Sequence, residues 1–185
     1  IHNFNKKDVI PYHNVNVYKV NNENFEAYPN RDSLPYINEY LFLDEWKIKN
    51  FIRGTLRLKG WVSAWKDIFI MLENFSDDLE EKIQIKSDEL WSKYQYEENE
   101  KDRVVLSVSL EALNSNEEII WSGSYELDET GSGENTAMAL LVSITLTAGV
   151  DLILQNKLDP GVQAAPHTKD NIEYFFKVLK GYNIN

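Results

Sequence analysis

The residues with the most distinctive chemistry in this chain are its arginines. The chain has 19 lysine and arginine residues against 30 aspartates and glutamates, and only four of the basic residues are arginine. Three of the four lie in two short motifs, Tyr28-Pro-Asn-Arg-Asp-Ser33 and Ile52-Arg-Gly-Thr-Leu-Arg57. A guanidinium presents a planar fork of donors that matches a carboxylate through two parallel hydrogen bonds. This concentration of arginine in an acidic chain therefore indicates a binding site for an anionic small molecule.

The second motif has the pattern of a β-strand, which we predict over residues 49–59. Side chains on a strand alternate between the two faces, so Arg53, Thr55 and Arg57 share one face. The opposite face carries the apolar residues of the segment, Ile52, Leu56 and Leu58. We interpret the apolar face as core and the arginine face as the anion site. A solvated outer face of a sheet is the alternative interpretation.

Gly54 and Arg31 extend the candidate site. A glycine within a strand often permits close approach of a ligand or of another backbone. Arg31 is predicted at the start of a helix capped by Ser33, where an anion would also meet free backbone N–H groups. From local chemistry alone, an ordinary strand-to-helix turn is the alternative interpretation of this first motif.

Composition excludes several classes of partner. The net charge is −11 and the isoelectric point about 4.7, which argues against nucleic acid or an anionic membrane as the main partner. The chain has no cysteine, so it has neither disulfides nor thiolate chemistry, in keeping with an expected cytoplasmic location. Its three histidines are isolated and lack the spacing of metal ligands, so we expect no metal site.

The pattern of apolar residues predicts an α+β fold, with a mixed, largely antiparallel sheet and helices packed on one face. The predicted strands cover residues 15–20, 24–28, 49–59, 104–111 and 118–127, and the last two form a hairpin. The predicted helices cover residues 33–41, 61–73, 76–96, 136–156 and 168–180. The uncharged stretch 136–150 has about 15 residues, short of the roughly 20 that span a membrane, so a buried core helix is predicted there.

One segment superficially resembles a nucleotide-binding loop. Gly131-Ser-Gly-Glu-Asn-Thr136 lies between a strand and a helix, but it lacks the third glycine of the dinucleotide fingerprint and does not open a βαβ unit. We therefore predict no cofactor site in this chain. Asn135 or Thr136 is predicted to cap the helix that follows.

Several segments together resemble the second half of saccharopine dehydrogenases of the L-glutamate-forming type, also called saccharopine reductases. The matching segments are residues 27–33, residues 51–57 with Lys59-Gly60, Asp102-Arg103, residues 136–139, and residues 161–163 with Pro166. They follow the family's order and cover almost the whole chain. We therefore expect residues 1–185 to form the C-terminal substrate-binding and dimerisation domain of such an enzyme, with a short helical insert at about 74–101.

The resemblance implies an oxidoreductase of lysine metabolism that interconverts saccharopine with aminoadipate semialdehyde plus glutamate. It implies saccharopine contacts from Arg31, Arg53, Gly54 and Thr55, to which strand parity adds Arg57. NADP or NAD is expected on an N-terminal Rossmann domain that this sequence does not contain, and no catalytic residue is expected here. The isolated chain is therefore predicted to be inactive, and its expected partners are that Rossmann domain, the substrate and a second copy in a homodimer.

The chain departs from the family pattern in its short helical insert and in the run that follows Thr136-Ala-Met-Ala139, which is Leu140-Leu-Val-Ser-Ile-Thr145. Two alternatives stay open. One is a related dehydrogenase acting on carboxyspermidine or carboxynorspermidine, whose single carboxylate fits poorly with several arginines. The other is a non-catalytic, stand-alone binding or dimerisation module.

Overall fold

The computed structural model describes residues 14–30, 33–74, 76–133, 135–162 and 165–184. These residues belong to two compact units, Ile1–Asn99 and Glu100–Asn185. Both units combine antiparallel strands with helices, which confirms the predicted α+β class. The described strands pair in two separate antiparallel sheets, one in each unit.

The first unit is built on a three-stranded antiparallel sheet in the order β1-β2-β3. Its strands are β1 (Asn16–Val20), β2 (Glu23–Pro29) and β3 (Gly54–Leu58). Asn21 and Asn22 form the β1–β2 turn with φ values of 47° and 68°, a left-handed conformation that asparagine tolerates better than most residues. The helices are α1 (Tyr36–Glu39), α2 (Trp61–Ala64), α3 (Lys66–Glu73) and α4 (Leu79–Lys93).

The arginine-bearing strand is shorter and less buried than predicted. It begins at Gly54, opposite Pro29, and the N–H of the preceding Arg53 donates to Ser33 Oγ instead of across the ladder. The predicted core face is partly correct for Leu56, which is half-buried and lies opposite the buried Ala27. It is wrong for Leu58 and Ile52, at the two ends of the segment, which are 64% and 48% exposed.

The second unit is a long hairpin with two helices. The elements are β4 (Arg103–Leu113), β5 (Ile119–Thr130), α5 (Ala137–Leu154) and α6 (Lys169–Gly181). The predicted turn is confirmed, since the Asn114 side-chain oxygen accepts hydrogen bonds from the N–H groups of Asn116 and Glu118. The hairpin register places Leu106, Val108, Tyr125 and Leu127 on one face, and there the Tyr125 ring stacks on Phe176 of α6.

Helix α5 is buried along one stripe only. The buried residues are Ala137, Ile144, Ala148 and Leu152, and Leu152 is fully inaccessible to solvent. A second stripe is exposed, formed by Met138, Val142, Leu146, Val150 and Ile153. The predicted buried core helix is therefore corrected to a helix buried on one side. Among the described residues, α5 is also the one helix with the length and composition of a membrane span, but only 28% of it is buried.

A polar contact joins α5 to α6 beside their apolar interface. The Tyr174 hydroxyl donates a hydrogen bond to the Asp151 carboxylate, and Gln155 Nε2 donates a second at 2.8 Å. The Tyr174 hydrogen bond, followed by that of Gln155, lowers the pKa of Asp151. The same bond to Asp151 raises the pKa of Tyr174. Both shifts favour the native pairing of ionised Asp151 with neutral Tyr174.

Candidate functional site

Arg53 lies just before β3, and its backbone is held by the first arginine motif. Its N–H donates to Ser33 Oγ at 3.0 Å, and its carbonyl accepts from the Asn30 N–H at 2.7 Å. Ser33 was predicted to cap a helix, but α1 is a single turn that begins after Pro35 and has no side-chain cap. The Ser33 hydroxyl instead ties the two arginine motifs together.

The Arg53 guanidinium lies over an aromatic ring. Its central carbon is 3.6 Å from the centroid of the Tyr36 ring, and the Arg53 residue is half-buried. This distance is well within the range of a cation–π contact. Desolvation lowers the pKa of Arg53, but side-chain interactions with Tyr36 and Tyr40 outweigh it and raise the pKa. The group is therefore a fixed positive charge at every physiological pH.

An aromatic cluster lies behind these tyrosines. Tyr36 and Tyr40 are 6.2 Å apart between ring centroids, and Tyr40 meets Phe51 edge-on at 5.8 Å. Phe42 also packs edge-on against Phe51, at 5.5 Å. Sequence reasoning missed this cluster, although five aromatic residues fall between positions 36 and 51. That density was the signal available, but it did not show that one of these rings would cover Arg53.

Arg57 has its own aromatic support on the same strand. Its Nη2 donates to the Tyr28 hydroxyl at 3.3 Å, and its guanidinium lies 5.9 Å from the Trp61 ring centroid. The rings of Tyr28 and Trp61 stack on each other at 4.9 Å. Arg57 is exposed, so its remaining N–H donors face solvent.

The carboxylate closest to Arg57 in strand register is already engaged. Glu26 lies directly opposite Arg57 in the β2–β3 pairing. Its two carboxylate oxygens accept from the N–H groups of Gly60 and Val62, at 2.8 and 2.7 Å. These bonds satisfy donors at the start of α2, where no side chain of the helix itself provides a cap.

The three described arginines differ in their partners. Arg103 makes a two-pronged ion pair with Asp128, with both N–O distances 2.7 Å. Among the described residues, neither Arg53 nor Arg57 has a carboxylate within ion-pair distance. Their guanidiniums rest on aromatic rings instead. This arrangement leaves positive charge and in-plane donors available to an external anion.

The remaining predicted site residues divide into three cases. Thr55 is half-buried and pairs with Tyr28 across the strands. Gly54 permits close approach of another backbone, since a Cβ atom there would lie 3.2 Å from the Tyr28 carbonyl oxygen. Arg31 lies outside the described residues. The described part of the predicted site is therefore Arg53, the strand residues Gly54 to Arg57 that follow it, and the aromatic residues that support them.

The start of α5, just after the glycine pair at residues 131 and 133, is capped by two side chains. The Asp102 carboxylate accepts from the N–H groups of Ala137 and Met138, at 2.7 and 2.9 Å. Thr136 caps the helix as predicted, accepting from the Ala139 N–H at 3.0 Å. Because a carboxylate already occupies these amides, the segment does not fit the phosphates of a nicotinamide cofactor. Sequence reasoning missed this role of Asp102.

Comparison with known proteins gives two matches. A family model described as the saccharopine dehydrogenase C-terminal domain matches residues 2–184. A solved structure, apo histidine-tagged saccharopine dehydrogenase (L-Glu forming) from Saccharomyces cerevisiae, has a TM-score of 0.69 at 19% sequence identity. That match covers 92% of this chain and 52% of the yeast chain, so this chain spans about half of its relative. No curated protein matches the chain significantly.

Proposed function

Because the chain belongs to the saccharopine dehydrogenase C-terminal domain family, we propose that it is the substrate-binding half of a saccharopine dehydrogenase. The complete enzyme would transfer a hydride between a nicotinamide cofactor and the carbon–nitrogen linkage of saccharopine. The products of oxidation would be aminoadipate semialdehyde and glutamate, which places the reaction in lysine metabolism.

One observation carries the proposal: two arginines on one strand segment, supported by aromatic rings and without described carboxylate partners, in a chain of net charge −11. Saccharopine has three carboxylates and therefore suits a surface with several guanidiniums. We propose that Arg53 and Arg57 bind carboxylates, with Gly54 and Thr55 lining the same strand. Arg31 would supply a third guanidinium.

The proposed contribution of this chain to catalysis is positioning and electrostatics. A fixed guanidinium lowers the entropy lost on orienting a substrate and stabilises its charge. The described residues do not fit a nicotinamide cofactor at the glycine pair, where Asp102 occupies the backbone amides. We therefore propose that NADP or NAD is held by an N-terminal Rossmann domain of a longer cytoplasmic protein.

The test compares two substrates in the full-length natural protein. With NADP or NAD, saccharopine is expected to yield reduced cofactor, measured by its absorbance. Carboxynorspermidine has a single carboxylate and several positive charges, and it is expected to react at least about tenfold less efficiently because both arginines repel it. The 185-residue chain alone is the negative control and should show no turnover. A preference for the polyamine would contradict the proposal.

We also propose that the second unit mediates a homodimer. The exposed stripe of α5 that contains Val142, Leu146 and Val150 is apolar, and these side chains are 46% to 66% exposed. A contiguous apolar surface of this kind typically marks an interaction site. Sedimentation equilibrium of the 185-residue chain should give roughly twice its monomer mass of 21.6 kDa.

A charge on this stripe should shift the dimer to monomer. Leu146→Glu is expected to raise the dimer dissociation constant at least tenfold, by about 1.4 kcal/mol or more, because it desolvates a carboxylate in the interface. Ser109→Glu places the same charge on an exposed position of the hairpin rather than on α5, and it serves as the control. A monomeric wild-type protein at micromolar concentration would contradict the dimer.

A further inference from the structure

We infer that Tyr36 is a positioning residue for the substrate-binding guanidinium of Arg53. This inference rests on the proposed function, because it assumes that Arg53 binds a substrate carboxylate. It goes further by assigning a role to a residue outside the arginine motifs. Tyr36 would act through Arg53 and would not itself contact the substrate.

The first support is the contact between the two side chains. The Arg53 guanidinium carbon lies 3.6 Å from the Tyr36 ring centroid, so one face of the guanidinium is covered by the ring. A guanidinium makes its hydrogen bonds in its own plane. A ring on one face therefore holds the orientation of the plane while leaving the in-plane donors free for a carboxylate.

The second support is that both residues are tied to the same serine. Ser33 Oγ accepts from the Arg53 N–H at 3.0 Å, and the Ser33 carbonyl accepts from the Tyr36 N–H at 3.1 Å. The backbones of Arg53 and Tyr36 are thus held at a defined separation although they lie far apart in the sequence. The stacked contact is built into the local structure and does not depend on the side chains alone.

The third support is the aromatic cluster of Tyr40 and Phe51 that packs against Tyr36. Tyr40 lies 6.2 Å from the Tyr36 ring and packs edge-on against Phe51 at 5.8 Å. Phe51 precedes Arg53 on the same segment. The cluster therefore connects α1 to the residues just before β3. It also restricts the space into which the Tyr36 ring could turn.

The consequence is a preorganised carboxylate receptor. An unsupported arginine side chain loses much of its rotational freedom when it binds a ligand. A guanidinium already held against Tyr36 loses less. Removing the ring should therefore weaken substrate binding without removing the charge that makes the bond.

The experiment measures KM and kcat for saccharopine in the full-length protein carrying Tyr36→Leu. KM is expected to rise about tenfold with kcat nearly unchanged, because the support contributes to binding before the chemical step. Tyr36→Phe keeps the stacked ring and should restore KM to within about twofold of wild type. If Tyr36→Leu does not fold, Tyr36→Gln provides the same comparison with a polar residue suited to a half-buried helical position.

A matched control comes from another cation–π pair in the same unit. The Lys93 ammonium lies 5.2 Å from the Tyr94 ring centroid at the end of α4. Tyr94→Leu removes a ring of the same kind and should leave KM unchanged. An equal rise in KM in this variant would show a general effect on the fold and would overturn the inference.

A double variant separates this inference from the proposed function. If Arg53→Ala alone leaves KM unchanged, the proposed function fails. If Arg53→Ala raises KM, Tyr36→Leu should add little in the Arg53→Ala background, because Tyr36 acts through Arg53. A KM that is unchanged in the single Tyr36→Leu variant, or a Tyr36 effect that adds fully to that of Arg53→Ala, would overturn the positioning role.

Discussion

Replacing Arg53 by alanine in the full-length enzyme is expected to raise KM for saccharopine by about 10- to 100-fold. Hydrogen bonds to charged groups contribute about 1.5–3 kcal/mol each to binding, and each 1.4 kcal/mol is a factor of ten. Arg53 has no described carboxylate partner, so the variant does not leave a carboxylate unpaired in the described chain. The loss should therefore appear mainly in substrate binding, measured by steady-state kinetics.

Arg53→Lys should recover part of this loss. Lysine keeps the positive charge but lacks the planar fork that binds a carboxylate through two bonds. Arg57→Ala should have a smaller effect than Arg53→Ala, because Arg57 is exposed and its charge is more strongly screened by solvent. A larger effect at Arg57 would show that the strongest carboxylate contact lies at the far end of the strand.

Arg103 provides the matched arginine control. Its guanidinium is already bound to Asp128 in a two-pronged ion pair, and its side chain is 36% exposed. Arg103→Ala should leave KM unchanged, and its effect should fall on stability. If KM is the same in folded Arg53→Ala as in wild type, Arg53 does not bind the substrate.

Replacing Asp102 by alanine is expected to lower the free energy of unfolding by about 2–3 kcal/mol, because two backbone donors at the start of α5 lose a charged acceptor. The Asp102 backbone carbonyl also accepts from the Gly131 N–H at 2.9 Å. The residue therefore joins the hairpin to the helix through both its side chain and its backbone. Urea unfolding followed by circular dichroism measures the change.

Two companion variants test the cause of this loss. Thr136→Ala removes one capping hydrogen bond from the same helix and should cost only about 1 kcal/mol. Asp102→Asn keeps the shape of the side chain but removes its charge, and its effect should lie between those of Thr136→Ala and Asp102→Ala. Equal stability of Asp102→Ala and wild type would show that water replaces the carboxylate at these amides without cost.

Much of the site could be predicted from local sequence because strand periodicity is a local property. The predicted arginine segment does contain β3, with Thr55 and Arg57 on the face opposite Leu56. The hairpin of the second unit also forms from the predicted segments, and Val104, Leu106 and Val108 share a face with Leu127 and Tyr125. In both cases the alternation of side chains follows from backbone geometry alone.

The supports of the site could not be predicted in this way, because they join residues distant in the sequence. The ring of Tyr36 lies over Arg53 only after the loop between them has folded back. Glu26 is committed to the N–H groups of Gly60 and Val62 rather than to Arg57, and its residue type does not reveal this. The same holds for Asp102, which the whole hairpin separates from the start of α5 in the sequence.

By itself, the sequence determined the α+β class, the two arginine motifs and, through the order of those motifs, the resemblance to the family. These properties depend on residue type and short spacing, which physical chemistry translates directly into strand faces and charge. The tertiary structure decided which arginines keep free donors, which amides are already capped, and which side of α5 is covered. Those outcomes depend on contacts between distant residues, and only the folded chain brings such residues within hydrogen-bonding or van der Waals distance.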